Sequence, residues 1–275
     1  MISRTTVSAL AFAAAVVIVG HAPARADLVG YYTFNDPDDL GRDSSGQGNN
    51  LIVVQNDPGD VGSTSSGPNG GNALTLDGNG YLTTASGNTP ADFPTGNGSY
   101  TISVTFETTA SQALSGIPLT LLGWGSYGPG SSPNNTIAVR LLLAYAEGGQ
   151  GVDNYWWYND LESHATVADG QWYTVVSSYD STTDTRSIYL NGALLGQDTP
   201  GTNDASAANF AIGMADPLGT LNSSFIGDLA DVAIFTTALT PTQVTASLDS
   251  VPEPASLGVL TTSVLGLGAA RRRRR

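Results

Sequence analysis

Apolar and polar residues alternate along much of the chain, a period of two that is typical of β-strands with one buried face. The segment YTISVTFE (100–107) shows the pattern clearly, with every second residue apolar and the others mostly hydroxylated. The segments 171–180 and 186–196 follow it as well. Within the second of these, Asn191-Gly192 predicts a two-residue hairpin turn, because both central positions of a type I′ turn need a positive φ.

The same reasoning predicts further strands, at 28–34, 51–54, 73–76, 81–84, 119–123, 136–145, 154–158, 209–213 and 224–235. Only 241–249 has a helical pattern, with Thr240 as N-cap and Pro241 at the first helical position. Stretches rich in Gly, Ser and Asn predict loops at 56–72, 86–98 and 125–135. Many short strands at this spacing predict an all-β fold, a two-sheet antiparallel jelly-roll sandwich.

The first 26 residues have the three parts of a secretory signal peptide. Arg4 precedes an apolar stretch at 9–20, and Ala24 and Ala26 form a small-x-small cleavage site. Residues 1–26 are therefore predicted to be removed by signal peptidase, so that the exported chain starts at Asp27. The alternative is an N-terminal helix buried in the fold.

The charge balance argues against nucleic acid as a partner. The net charge is −14, and all ten basic residues are arginines. Seven of these lie near the two ends, which leaves Arg42, Arg140 and Arg186 for the rest of the chain. Such an acidic domain repels phosphate backbones. The chain has no cysteine, which excludes disulfides and thiolate chemistry.

The last residues, 251–275, combine a turn, an apolar segment and a basic end. Pro252, Glu253 and Pro254 precede sixteen mostly apolar residues, and Arg271–Arg275 follow. As a helix the apolar segment spans about 24 Å, less than the roughly 30 Å of a bilayer core, so it predicts only transient anchoring in the inner membrane. The arginines would hold the end on the cytoplasmic side.

This tail resembles a PEP-CTERM sorting signal. The resemblance implies a Gram-negative bacterium, processing by an exosortase, and an extracellular or cell-surface location for the product. A basic nucleic-acid-binding tail and a permanent anchor are the competing interpretations.

Residues 27–250 resemble a laminin-G-like, concanavalin A-like jelly-roll domain. The segments that carry the resemblance are GYYTFND (30–36), RDSSGQGNNL (42–51), GNALTLDGNGYLTT (71–84), the strand with Trp172, YLNG (189–192) and GDLADVAIFTTALTPTQV (227–244). They are strand and turn features, so they indicate a fold more than an activity. The chain departs from the family at Gly80, where an acidic residue often precedes the aromatic.

No catalytic residue is predicted. His164 is the only histidine left after signal cleavage, and no Gly-x-Ser-x-Gly elbow is present. Related jelly-roll glucanases carry Glu-x-Asp-x-x-Glu, and none of the four glutamates has that spacing.

Calcium is the one cofactor that the sequence predicts, because the resembled family often holds a structural ion near a sheet edge. Asp43, Asp77, Asn79 and Asp231 lie in the corresponding segments. The alternative is that these residues only form turns, which Asp and Asn favour.

Aromatic residues are the candidates for sugar binding, because their faces stack on the apolar faces of pyranose rings. The candidates are Trp124 and Tyr127, beside a Gly-rich loop, and Trp156 and Tyr158, from YWWYND (155–160). The alternative is core packing for each of them.

Together these features predict an exported, non-catalytic surface or matrix protein whose partner is exopolysaccharide or another glycan. A structural matrix component without a ligand and a divergent polysaccharide hydrolase or lyase are the alternatives.

Overall fold

A computed structural model describes residues 28–109, 118–127, 131–145, 149–215 and 224–251, and within these ranges fifteen strands form two sheets. Sheet A contains β1 (Leu28–Tyr32), β3 (Val61–Thr64), β4 (Ala73–Asp77), β6 (Tyr100–Thr108), β11 (Trp172–Asp180), β12 (Thr185–Leu190), β13 (Ala193–Asp198) and β15 (Ile226–Phe235). Sheet B contains β2 (Ile52–Gln55), β5 (Gly80–Thr83), β7 (Leu119–Gly125), β8 (Thr136–Tyr145), β9 (Gly149–Tyr155), β10 (Leu161–Glu162) and β14 (Ala211–Ile212). The predicted all-β jelly-roll sandwich is confirmed.

The strand order brings distant parts of the chain together. In sheet A the order is β13-β12-β11-β6-β15-β4-β3, with β1 paired to β15. In sheet B it is β10-β9-β8-β7-β14-β5-β2. The first and last strands of the described chain are therefore neighbours, with Tyr32 opposite Val232.

The core lies between the two sheets and follows from the alternation. Tyr100, Ile102, Val104 and Phe106 of β6 all point inward and are fully buried. They pack with inward residues of sheet B, among which Trp124 and Trp156 are the largest. Burying each large apolar side chain contributes roughly 1.5–3 kcal/mol.

A single described α-helix, α1 (Pro241–Leu248), lies on the outer face of sheet A. Thr240 is its N-cap, as the sequence predicts, and forms a capping box with Gln243. Val244 is its buried residue and packs in a small apolar cluster with Val176 and Phe235. The helix therefore covers part of this face and leaves the rest open.

The predicted signal peptide and the predicted sorting motif lie outside the described residues. This applies to the signal peptide 1–26 with Ala24 and Ala26, and to Pro252, Glu253, Pro254 and the rest of the tail. In the part of the chain that the structure describes, no helix has the length and apolarity needed to cross a membrane.

Two of the sequence-based assignments are wrong. The strand predicted at 154–158 instead ends at Tyr155, because Tyr158 has a φ of 61° and the Asn159 N–H donates to the Trp156 carbonyl at 2.6 Å to close a turn. The loop predicted at 56–72 contains β3, which pairs with β4. The Asn191-Gly192 hairpin is confirmed, with φ of 48° and 82°.

Candidate functional site

The turn that ends β9 is held through two of its backbone carbonyls and one of its side chains. The Trp157 carbonyl accepts from the Asn134 N–H at 2.9 Å. The Asn159 carbonyl accepts from Nη1 of Arg186 at 2.7 Å, and the Asn159 side chain donates to the Pro200 carbonyl at 3.0 Å. These bonds fix the backbone on both sides of Tyr158, so its ring is presented without a large entropy cost on binding.

Arg186 supports this turn from sheet A. Its side chain is fully buried and makes two bonds to Asp198, Nε–Oδ1 at 3.0 Å and Nη2–Oδ2 at 2.6 Å. Its guanidinium also lies 4.6 Å from the centre of the Trp156 ring. A two-bond ion pair stacked on an indole has a fixed geometry, which makes Arg186 a firm anchor for the turn.

A second arginine organises the outer face of sheet B. Arg140 of β8 lies directly opposite Asp153 of β9 and donates to both of its carboxylate oxygens, the shortest bond being 2.7 Å. The same guanidinium donates to Oδ2 of Asp160 at 3.2 Å and lies 3.4 Å from the centre of the Tyr155 ring. One cation is thus shared by two carboxylates.

These residues surround a cavity of about 240 Å³, which we call the Tyr158 pocket. It is lined by Pro118, Arg140, Tyr155, Trp157, Tyr158, Asp160 and Glu162. Tyr158 is 79% exposed, and its ring meets Trp157 edge to face at 4.9 Å. The pocket therefore combines an aromatic platform with charged and hydrogen-bonding groups.

Two polar atoms of the pocket residues lack partners. Nε1 of Trp157 and Oδ1 of Asp160 are buried and find no hydrogen-bond partner among the described residues. Leaving such a group unpaired costs about 1–3 kcal/mol. An indole N–H donates and a carboxylate accepts, so the pocket residues include both kinds of hydrogen-bonding group.

Burial raises the pKa of Asp160 to about 7, and the neighbouring Asp153 carboxylate raises it further while Arg140 opposes the shift. The carboxyl group therefore changes between donor and acceptor near neutral pH.

The prediction that Trp124 and Trp156 stack on a sugar is wrong. Both are fully buried in the core. Nε1 of Trp124 donates to the Pro94 carbonyl at 2.8 Å, and Nε1 of Trp156 donates to the Tyr100 hydroxyl at 2.9 Å. Neither ring has a face that a sugar in solution could reach.

The other two aromatic candidates lie on the outside of sheet B. Tyr127 is half-buried and stacks on Tyr155, with ring centres 6.4 Å apart and planes 9° from parallel. Tyr158 forms the exposed part of the pocket. Five other pocket residues were not predicted from the sequence: Arg140, Tyr155, Trp157, Asp160 and Glu162. Of these, Arg140 carried a signal, because it is a single charge within an apolar strand.

The four predicted calcium ligands lie in three separate places. The Asp43 carboxylate closes its own loop, accepting from the N–H groups of Tyr31, Ser45 and Asn49 and from the Ser45 hydroxyl. Asp77 and Asn79 bond to each other in the β4–β5 turn. Asp231 lies on β15 and accepts from the Tyr31 hydroxyl at 3.3 Å.

The described residues contain no group of three or more His, Cys, Asp or Glu side chains that could hold a metal. Calcium binding stays a prediction.

Two antiparallel sheets around one core, with an aromatic pocket on one outer face, define the lectin-like jelly-roll class of β-sandwich. Residues 44–245 match the Laminin_G_3 family model, described as the concanavalin A-like lectin/glucanases superfamily. The chain belongs to this superfamily. No curated protein matches the sequence.

Solved structures share the fold at low identity. One is domain 4 of AbnA, a GH43 extracellular arabinanase from Geobacillus stearothermophilus, in complex with arabinotriose. It is 22% identical with a TM-score of 0.56, and the match covers 81% of this chain and 98% of that one. Another is the binding domain of Paraclostridial Mosquitocidal Protein 1, 14% identical with a TM-score of 0.53, covering 80% of this chain and 51% of that one.

Proposed function

We propose that the protein is a non-catalytic carbohydrate-binding protein and that the Tyr158 pocket is its binding site. The observation that carries the proposal is the Tyr158 ring, 79% exposed, on a pocket that Arg140, Asp160 and Glu162 also line. A sugar ring would stack on the tyrosine, and its hydroxyl groups would bond to the charged side chains that line the pocket.

Removal of the aromatic platform tests the proposal. Binding of neutral oligosaccharides to the protein is measured by calorimetry, and arabinotriose is included because a domain of the same fold was solved with it. We expect Tyr158→Ala to weaken binding at least tenfold, which corresponds to about 1.4 kcal/mol. Ile52→Ala is the control, since Ile52 is 47% exposed on β2 at the opposite edge of sheet B.

If Tyr158→Ala and the parent protein bound the oligosaccharides with equal affinity, the Tyr158 pocket would not be the binding site. If no glycan binds at all, a structural matrix component without a defined ligand becomes the better description.

Hydrolysis is the second candidate, and one observation favours it. Asp160 has a pKa of about 7, which suits a general acid, and its carboxyl interacts electrostatically with Asp153 and Glu162. Release of reducing ends from a bound polysaccharide, lost in Asp160→Asn, would establish cleavage. Binding without release of reducing ends or of an unsaturated product would support the non-catalytic function.

Export completes the proposal. Signal peptidase would remove residues 1–26 and an exosortase would process 251–275, giving an extracellular or surface protein that binds exopolysaccharide or another glycan, with calcium as a structural ion. The sequence features of the two ends support this proposal. Intact mass and metal content of the secreted form test it, because an unprocessed mass in the cytosol would contradict it.

A further inference from the structure

Small side chains leave a cavity between α1 and the outer face of sheet A. The cavity has a volume of about 630 Å³, and we call it the helix cavity. Where Val244 packs on Val176, the space is filled, but the neighbouring positions on the sheet are Ser103, Thr105 and Ala233. A helix that packs on a sheet needs large side chains to close the gap, so these residues keep it open. The volume lies within the range of about 300–1,000 Å³ that small-ligand sites have.

A β-bulge turns an acidic side chain onto this face. The register of β15 against β6 shifts between Leu229 and Asp231, so that Leu229 faces Phe106 and Asp231 faces Thr105. Leu229 is fully buried in the core, whereas Asp231 lines the cavity. Bulges commonly redirect a side chain at a functional site. The Tyr31 hydroxyl then bonds to Asp231 at 3.3 Å and orients it.

Hydroxyl groups continue the polar lining across the sheet. The hydroxyls of Thr105 and Thr174 lie 2.9 Å apart on neighbouring strands. The Thr174 N–H donates to Oδ1 of Asn191 at 2.8 Å, which fixes the hairpin turn at the edge of the cavity. The lining therefore pairs an apolar patch with ordered hydroxyl, amide and carboxylate groups, the combination that an amphipathic sugar ring needs.

The charges favour a neutral ligand. Asp231 and Asp249 line the cavity, and none of the described lining residues is basic. Of the three described arginines, none lines the cavity, and Arg140 and Arg186 are held in ion pairs with aspartates elsewhere. An anionic ligand would meet two carboxylates without a compensating cation.

We propose that the helix cavity is a second glycan-binding site, for neutral oligosaccharides, on the side of the sandwich opposite the Tyr158 pocket. The two cavities lie on the outer faces of different sheets, with the whole core between them. One molecule then holds two glycan chains at once and cross-links a polysaccharide. This goes beyond the proposed function, because it adds a site and bivalency that the Tyr158 pocket alone does not supply.

Two variants close or weaken the new site without touching the core. Thr245→Trp places a large ring into the cavity from an exposed helix position, and Asp231→Ala removes the oriented acceptor. The probes are arabinotriose, xylotriose, cellotriose and maltotriose, with 3′-sialyllactose as an anionic control. Amide shifts in a nuclear magnetic resonance titration follow Gly192 and Tyr158 separately, and circular dichroism confirms that each variant folds.

We expect a neutral trisaccharide to shift both sets of amides. Thr245→Trp and Asp231→Ala should weaken the response at Gly192 at least fivefold and leave Tyr158 unchanged, and Tyr158→Ala should do the reverse. The parent protein should raise the viscosity of a polysaccharide solution, and either single-site loss should abolish that effect. Sialyllactose should leave Gly192 unchanged.

The two proposals fail in different ways. A response confined to Tyr158, equal in the parent and in both cavity variants, overturns the second site and leaves the proposed function intact. A response confined to Gly192 overturns the Tyr158 pocket and keeps the second site. Absence of binding across the panel overturns both.

Discussion

At the scale of single residues, Asp160 is subject to opposing influences. Burial and the neighbouring Asp153 carboxylate raise its pKa to about 7, while Arg140 favours the charged form. A carboxyl group whose pKa is higher in the folded than in the unfolded chain binds a proton more tightly when folded. Its contribution to stability is therefore fully present below the unfolded pKa, and it is lost as the pH rises through the folded pKa.

We expect the stability of the Asp160→Asn variant, relative to that of the parent protein, to be higher at pH 8 than at pH 5. The asparagine amide has the same shape as the carboxyl group and keeps an oxygen that can accept from Arg140. Because the amide does not ionise, the variant has no buried negative charge to destabilise it at high pH. From the pKa shift, the stability gap between variant and parent should grow by roughly 2 kcal/mol from pH 5 to pH 8. Thermal unfolding at both pH values measures it.

Asp38→Asn is the control for this prediction, because Asp38 is exposed and its side chain accepts no described hydrogen bond that would be lost. It should leave the melting temperature close to that of the parent at both pH values. A gap for Asp160→Asn that shrinks toward pH 8 would contradict the expected direction.

The aromatic residues show how far the sequence determines the site. Alternation along a strand places Tyr155 and Trp156 on opposite sides, but it does not say which side is the core. Asp153 shares the side of Tyr155, and its charge is a signal for the outer face. The alternation does not apply to Tyr158, because this residue follows the end of the strand and has a positive φ. Its exposure depends on the turn and not on the strand pattern.

At the scale of elements, β9 and β10 approach each other closely at Gly151. A Cβ atom at this position would lie only 1.9 Å from the Ser163 carbonyl oxygen, which is backbone and cannot rotate away. We expect Gly151→Ala to lower the free energy of unfolding by about 1–3 kcal/mol. Because β10 carries Glu162, glycan binding at the Tyr158 pocket should weaken as well. Urea unfolding and calorimetry check the two effects.

Gly62→Ala is the matched control in β3. A Cβ atom there meets nothing within 4 Å, and no positive φ is involved. The substitution should leave both stability and binding nearly unchanged. If Gly151→Ala were as well tolerated as Gly62→Ala, the close approach of β10 to β9 would be wrong.

Most elements follow from local patterns, and the exceptions have physical reasons. The hairpin at Asn191-Gly192 and the helix after Thr240 depend on turn and capping chemistry between near neighbours, and both are confirmed. β3 was missed because VGST (61–64) has few apolar residues, and its pairing with β4 supplies the order that its own sequence does not. The strand predicted at 209–213 is present in part, as the two-residue β14 that pairs with β5 and β7.

At the scale of the whole molecule, the sequence predicted the sandwich but not the relation between its two outer faces. The sheet order places β9 in sheet B and β15 in sheet A, so the Tyr158 pocket and the helix cavity lie on opposite sides of the core. This arrangement depends on pairings between strands far apart in the chain, such as Tyr32 with Val232. Local periodicity carries no information on such pairings.

The overall charge leads to a last prediction, on the choice between neutral and anionic polymers. With a net charge of −14, the protein repels polyanions over a distance set by the salt concentration. The screening length falls from about 30 Å at 10 mM salt to about 10 Å at 100 mM. We therefore expect any binding of dextran sulfate to be weaker than that of dextran at about 10 mM salt and to increase at about 100 mM.

Dextran and dextran sulfate are matched in backbone and differ in charge, so affinity electrophoresis of the protein in gels that contain each polymer isolates the electrostatic effect. Retardation by neutral dextran should change little with salt, because no charge is neutralised on binding. If dextran sulfate retarded the protein most at the lowest salt, a basic surface would have to dominate the encounter. That outcome would contradict the acidic surface, because Arg42 is the one substantially exposed arginine among the three that the structure describes, and it lies 4.0 Å from Asp36.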